Sequence, residues 1–251
     1  KVVRDYAATF CDDVATDVHG NVILAANRDA RPRLMFAGHA DQIGMMIRFI
    51  DELGFLYFDT IGGWDATQLV GQPVDVWTEA GPVHGVIARK PIHLLTDEER
   101  KQVVTLPELW IDIGALDQAD AEKHVQVGDP VTLRLGMRPM LGELASAPSM
   151  DDKTGVWVVI EAFRRAVAAG VDCGLFAVST VQEEIGLRGA RTSAYQIDPD
   201  VAIAVDVTHA TDCPTIEQKL HGNLKLGSGP AVFRGPNMNP KVVERLQELA
   251  K

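Results

Sequence analysis

Residues 174–206, GLFAVSTVQEEIGLRGARTSAYQIDPDVAIAVD, decide the fold. The run 174–181 is almost continuously apolar, whereas a strand with one wet face alternates apolar and polar residues. It therefore reads as a strand buried on both faces. A helix is predicted over 187–195 and a second buried strand over 201–205. Such strands alternating with helices imply an α/β fold, a mixed sheet covered by helices. The first strand ends in Gln182-Glu183-Glu184 and the second in Asp206. Open α/β sheets gather their chemistry at these carboxyl ends.

Upstream, 151–169 reads as a helix, with Val156, Val159, Ile160, Phe163 and Val167 on one stripe and Gly170 as its stop. Asp151 and Asp152 stand at its positive end. The opening reads as short strands with turns. Residues 21–26 and 33–37 are strands, the latter leading into Gly38-His39-Ala40-Asp41, and 43–50 is apolar with helix and strand both open. From 55 to 135 the texture changes. Short β-like runs at 73–77, 82–88, 109–113 and 130–135, separated by Gly, Pro and Asp turns, predict a small barrel or sandwich. The polar stretch 95–104 reads as a mobile loop, and 240–251 as a helix. The expected organisation is a catalytic α/β domain in two parts, 1–47 and 137–251, interrupted by a β domain over 48–136.

The bulk numbers narrow the function classes. Apolar residues are 46%, charged residues 24% and aromatics 6% of 251, an ordinary globular composition. A net charge of −11 disfavours nucleic acid and anionic membrane as partners. Cys11, Cys173 and Cys213 form no C-x-x-C and no paired framework, which indicates a reducing compartment, the cytoplasm. No apolar run reaches the ~18 residues of a membrane span. No signal peptide is visible, and the sequence opens at Lys1 without a Met.

Four element ends carry ligand-type side chains: His39 and Asp41, Asp151 and Asp152, Glu183 and Glu184, and Asp206. Singly these read as a packed histidine, a helix cap, a solvated turn and the start of a loop. Together, one imidazole and several carboxylates at one sheet edge make the donor set expected for zinc, cobalt or manganese. The excess of carboxylates would balance two divalent ions. Asp41 lies two residues from His39, within reach of its second ring nitrogen. Glu183 and Glu184 point to different sides of an extended segment, so one can hold metal while the other takes a proton from water. Their adjacency does not suit a glycosidase pair, which must flank one sugar bond. His19, His84, His93 and His124 read as structural or surface residues, and Trp64 and Trp77 as core or interface aromatics of the β module.

The segments Gly38-His39-Ala40-Asp41-Gln42-Ile43-Gly44, Gly62-Gly63-Trp64-Asp65, Asp151-Asp152-Lys153-Thr154-Gly155, Thr180-Val181-Gln182-Glu183-Glu184-Ile185-Gly186-Leu187-Arg188-Gly189-Ala190 and Asp206-Val207-Thr208-His209-Ala210 resemble the M42 family, the glutamyl and deblocking aminopeptidases of tetrahedral type. The longest segment is the most specific. The resemblance implies a zinc-peptidase-like catalytic domain with an inserted PDZ-like dimerisation domain, two zinc or cobalt ions, and peptide substrates. It implies that His39 and Glu184 are metal ligands, Asp151 a bridging ligand and Asp206 a ligand of the other ion. Glu183 would be the catalytic base and Asp41 the partner that orients His39. It also implies a homo-oligomer, dimers assembled into a hollow dodecamer that admits peptides rather than folded proteins.

Two departures are mild: the family's His-Met-Asp-Glu-Ile-Gly is His-Ala-Asp-Gln-Ile-Gly here, and its Asp-Asp-Arg is Asp-Asp-Lys. The family's fifth ligand, a C-terminal histidine, has no counterpart after Asp206, so a truncated chain is expected. Two rival readings follow: an M20-type two-metal carboxypeptidase or deacylase, and a non-catalytic assembly subunit.

Overall fold

The computed structural model describes residues 1–250. Contacts group the chain into two compact units, Lys1–Asp206 and Val207–Lys251. The first opens with helix α1 (Val2–Ala7) and strands β1 (Val14–Thr16), β2 (Val22–Ala26) and β3 (Arg33–His39). A helix at the very start departs from the strands expected there. Its cause is i, i+4 spacing: Ala7 is fully buried, with Val3 beside it, against Leu24 and Phe163.

β3 is followed by β4 (Gly44–Ile50), β5 (Leu56–Ile61), α2 (Ala66–Leu69), β6 (Pro73–Thr78), β7 (Gly81–Ala88), β8 (Trp110–Asp112), α3 (Gln118–Ala121) and β9 (Pro130–Leu133). The six strands close into a barrel in the order β4-β5-β8-β7-β6-β9. The ambiguous run at 43–50 is a strand because Met45 and Ile47 are buried while Met46 is exposed, a period of two. The barrel core includes Met45, Ile47, Leu56, Val74, Val76, Ile87, Ile111 and Val131. The stretch 95–104 is anchored by Glu99, which accepts from Lys90 Nζ at 2.8 Å and from the Thr96 N–H at 2.6 Å.

A short hairpin, β10 (Arg138–Pro139) with β11 (Ala145–Ser146), precedes α4 (Met150–Ala169), β12 (Gly174–Thr180), α5 (Arg188–Ile197) and β13 (Val201–Ala204). The main sheet has the order β1-β2-β12-β3-β13. β12 runs antiparallel to β2 and parallel to β3, and β13 runs parallel to β3, so the sheet is mixed. All seven residues of β12 are buried, which explains a run that is apolar up to the buried Ser179 and Thr180. Leu175 and Ala177 face Val156, Val159, Ile160 and Phe163 of α4. Phe176 and Val178 face the other way, towards Ile197 of α5. Each fully buried side chain of this size stabilises by about 1.5–3 kcal/mol, so the two-sided burial fixes β12 as the centre of the sheet.

The second unit contains α6 (Gln218–His221) and α7 (Pro240–Leu249). α7 starts where Asn239 caps the N–H groups of Lys241 and Val242 and Pro240 takes the first turn. Among the described residues no helix is long and apolar enough to cross a membrane.

Candidate metal centre

The parallel strands β3 and β12 end side by side, with Thr180 opposite His39. α4 begins against the same edge. Asp151 and Asp152, joined by a cis peptide bond, have non-helical backbone angles, so regular helix starts only after them. Asp152 then acts as a cap: its Oδ1 accepts the Gly155 N–H at 3.0 Å. Its Oδ2 accepts the His39 N–H at 3.1 Å, tying the helix start to the strand end.

That approach requires two glycines. A Cβ on Gly38 would lie 2.8 Å from the Val156 nitrogen, and one on Gly155 would lie 2.2 Å from Asp152 Oδ1. Asp152 is fully buried, and burial raises its carboxyl to about 6 against the pull of the His39 N–H. Sequence reasoning saw Asp152 only as one of a pair. The signal for its separate role was the Gly155 three residues on, at the position an N-cap carboxylate reaches.

His39 is 3% exposed and is the hub of the site. Its Nε2 lies 3.0 Å from Asp151 Oδ1, 3.7 Å from Glu183 Oε2 and 3.8 Å from Asp206 Oδ1. One donor atom from each of His39, Asp151 and Asp206 falls within 4.8 Å of the other two. Donors about 2.0–2.2 Å from a common zinc-type ion stand at such separations, so this set fits a divalent cation. On the other side of the ring, Nδ1 meets the Asp41 backbone carbonyl at 3.1 Å, with Asp41 Oδ1 at 3.5 Å. The carbonyl is therefore the hydrogen-bond acceptor.

Burial would lower the His39 pKa, but Glu183, Asp206, Asp41 and Asp152 outweigh it, and the net shift is upward. Burial also raises Glu183; the nearby His39 pulls it back, and Asp206, Asp41 and Asp151 push it up again. Glu184 is raised by burial and then by Asp151. Carboxylates crowded in this way stay ionised at neutral pH more readily beside positive charge, which a cation held here would supply.

Glu184 lies outside the group of three close donors. The barrel reaches it through Gly62, at φ +77°, where a Cβ would stand 2.6 Å from Ile43 Cγ2 and 3.2 Å from Glu184 Oε2. At the mouth, Gln42 Oε1 accepts from Lys153 Nζ at 2.7 Å and from the Ser149 hydroxyl. Burial holds the Lys153 pKa below its ordinary value. His19, read as structural, bonds the Gln182 side chain at 3.2 Å, next to Glu183.

The sequence model of the M42 glutamyl aminopeptidases matches residues 20–251. The chain is 34% identical over 252 residues to a lysyl aminopeptidase of Pyrococcus furiosus, covering all of this chain and 71% of that one. Its fold is similar to that of a TET aminopeptidase from a marine sediment archaeon of the Thaumarchaeota, with a TM-score of 0.90 at 36% identity over 99% of this chain and 71% of that one. It is also similar to the TET1 peptidase of Pyrococcus horikoshii, which can assemble into a tetrahedron or a large octahedral shell; there the TM-score is 0.84 at 32% identity, over 97% and 72% of the two chains. A match that takes in both the sheet and the barrel, and every element end carrying the carboxylates and His39, means that the chain belongs to the M42 family of aminopeptidases, hydrolases that remove residues from the N-termini of peptides.

Proposed function

We propose that this protein is a dinuclear metal-dependent aminopeptidase in which His39, Asp151, Glu184 and Asp206 hold two divalent ions, zinc or cobalt. The observation that carries the reading is the convergence of His39, Asp151 and Asp206 on one point with Glu183 beside it. Such ions, when bound, make water acidic enough to attack at neutral pH and polarise the scissile carbonyl. Glu183 accepts the proton of the attacking water and passes it to the leaving amine, a role that suits a carboxyl raised above its ordinary value. Asp151, at the helix start beside His39, would be the carboxylate shared by both ions. Asp152 and the two close-packed glycines keep β3 and α4 in register, so His39 meets Asp151 without searching for it.

The barrel, which begins with β4 and so a few residues ahead of the expected segment 48–136, is proposed to be the PDZ-like dimerisation domain of a cytoplasmic homo-oligomer assembled like its tetrahedral relatives, with peptides as substrates. The test combines metal content with turnover. The parent should bind about two ions per chain and trim free-amine peptides, glutamyl and lysyl N-termini included, but not N-acylated ones. Glu183→Gln should keep the metal and lose about 10²–10⁴-fold in kcat. A metal-saturated parent that cleaves acylated peptides, or nothing at all, would overturn the assignment.

A further inference from the structure

The edge where β3 meets β12 contains a contact that the metal chemistry does not require. The ladder between these strands ends with the Ala40 N–H donating to the Thr180 carbonyl at 2.9 Å. Gln182 then adopts φ +57°, which turns the chain out of the strand. The N–H groups of Glu183 and Glu184 therefore lose their ladder partners, and each needs another acceptor. The Asp41 carboxylate supplies both. Its Oδ1 accepts from Glu183 N at 3.1 Å and its Oδ2 from Glu184 N at 3.2 Å. His39 Nδ1, by contrast, is bonded by the Asp41 main chain and not by this carboxylate.

We infer that Asp41 is a positioning residue for the Glu183–Glu184 segment: its two carboxylate oxygens clamp the two consecutive amides that fix where both glutamate side chains project, while its backbone carbonyl holds the His39 ring. Charge-assisted bonds to main-chain N–H groups are stronger than neutral ones and have defined directions. A base displaced by a fraction of an ångström loses rate steeply. The carboxylate cannot be replaced by an amide here. Asn at 41 keeps the carbonyl to His39 but accepts at one atom only, and its NH2 faces the other N–H donor.

The kinetic consequence rests on the aminopeptidase reading, but the structural consequence does not, so the metal-free protein is tested first. Hydrogen exchange followed by mass spectrometry would be measured on peptides containing 182–185, with 174–180 as the internal reference for an intact sheet. Asp41→Asn should speed exchange at Glu183 and Glu184 by roughly tenfold or more and leave β12 unchanged. Unchanged exchange at the two glutamates would overturn the inference even if the protein proved to have no peptidase activity.

The second arm uses zinc titration and steady-state kinetics at saturating zinc. Asp41→Asn should bind zinc within about threefold of the parent, because His39 keeps its main-chain partner, yet lose about 10²-fold in kcat with KM little changed. Weakened zinc binding, with turnover fully restored by excess zinc, would mean that Asp41 acts through His39 instead. Asp41→Glu, which keeps both oxygens one methylene further out, should recover part of both the protection and the kcat. A Glu variant no better than Asn would also count against the clamp.

Discussion

Nε2 of His39 and Oδ1 of Asp151 lie 3.0 Å apart, one at the end of β3 and the other at the start of α4. They are 112 residues apart in the chain, yet the pair forms half of the proposed ligand set. A cation bound between them joins strand to helix, so metal should stabilise the folded state by mass action. Zinc or cobalt at about 100 times its Kd should add about 2.7 kcal/mol, read as a rise in the thermal midpoint. His39→Ala should lose most of that rise. A chelator should abolish peptidase activity, and re-addition of the ion should restore it. A thermal midpoint insensitive to metal in the parent would contradict the ligand assignment.

Gly189, in the first turn of α5, is set against the end of β12. A Cβ there would lie 2.3 Å from the Val181 carbonyl oxygen and 2.4 Å from Asn21 Oδ1. The first of these atoms is backbone inside the sheet edge and cannot move away. Gly189→Ala should therefore destabilise by about 1–3 kcal/mol through overpacking, measured as a lower urea midpoint with an unchanged slope. Gly63→Ala, where nothing lies within 4 Å of the new methyl and φ is not positive, should change the midpoint little.

Asn21 links the same corner by polar contacts. It is fully buried; its Oδ1 accepts the Val181 N–H at 3.1 Å, and its Nδ2 donates to Asp17 Oδ2 at 2.7 Å and to Thr192 Oγ1 at 3.0 Å. Asn21→Ala leaves a backbone donor without its acceptor beside the segment that carries Glu183. The cost should be about 1–3 kcal/mol in equilibrium unfolding. Asn21→Asp keeps an acceptor for Val181 but loses the donor to Asp17 and sets a second carboxylate against it, so at neutral pH it should be at least as unstable as Asn21→Ala. An Asn21→Ala variant as stable as the parent would show that the bond to Val181 does not matter.

The parts of the fold that the sequence revealed are those in which burial leaves a pattern. β12 is legible because both its faces are covered, so its residues are apolar as far as Val178. α4 is legible because its one buried stripe recurs with helical period. β5 is less visible: outward-facing Tyr57 blurs the alternation of Leu56 and Phe58. α1 is too short for its stripe to stand out, and its Val3 and Ala7 look like the apolar residues of a short strand. The residue types proposed as ligands were legible at the ends of elements. Which atoms meet was not, because that depends on backbone placement. The split duty of Asp41, carbonyl to His39 and carboxylate to the Glu183 and Glu184 amides, follows from the turn at Gln182. The closeness of Gly62 to Glu184 follows from where the barrel sits against the sheet edge, which no local spacing encodes.

Glu161 offers a test of stability against pH away from the metal centre. Its carboxylate on α4 accepts from Arg164 Nε at 2.9 Å and Nη2 at 2.7 Å, and from the Tyr6 hydroxyl of α1. Arg164 first and Tyr6 second hold its pKa down, from an ordinary 4.5 to about 2. Because the folded value lies below the unfolded one, the native state favours the ionised form. The contribution is complete above the unfolded pKa and disappears as pH falls through the folded one. Glu161→Gln should therefore be less stable than the parent at neutral pH, with a urea midpoint that converges on the parent's as pH drops from about 4.5 towards 2. Arg164→Met should reduce that pH dependence more than Tyr6→Phe, following the order of the two causes. A gap between Glu161→Gln and the parent that stays constant over this pH range would mean that the glutamate supports α1 by shape and not by charge.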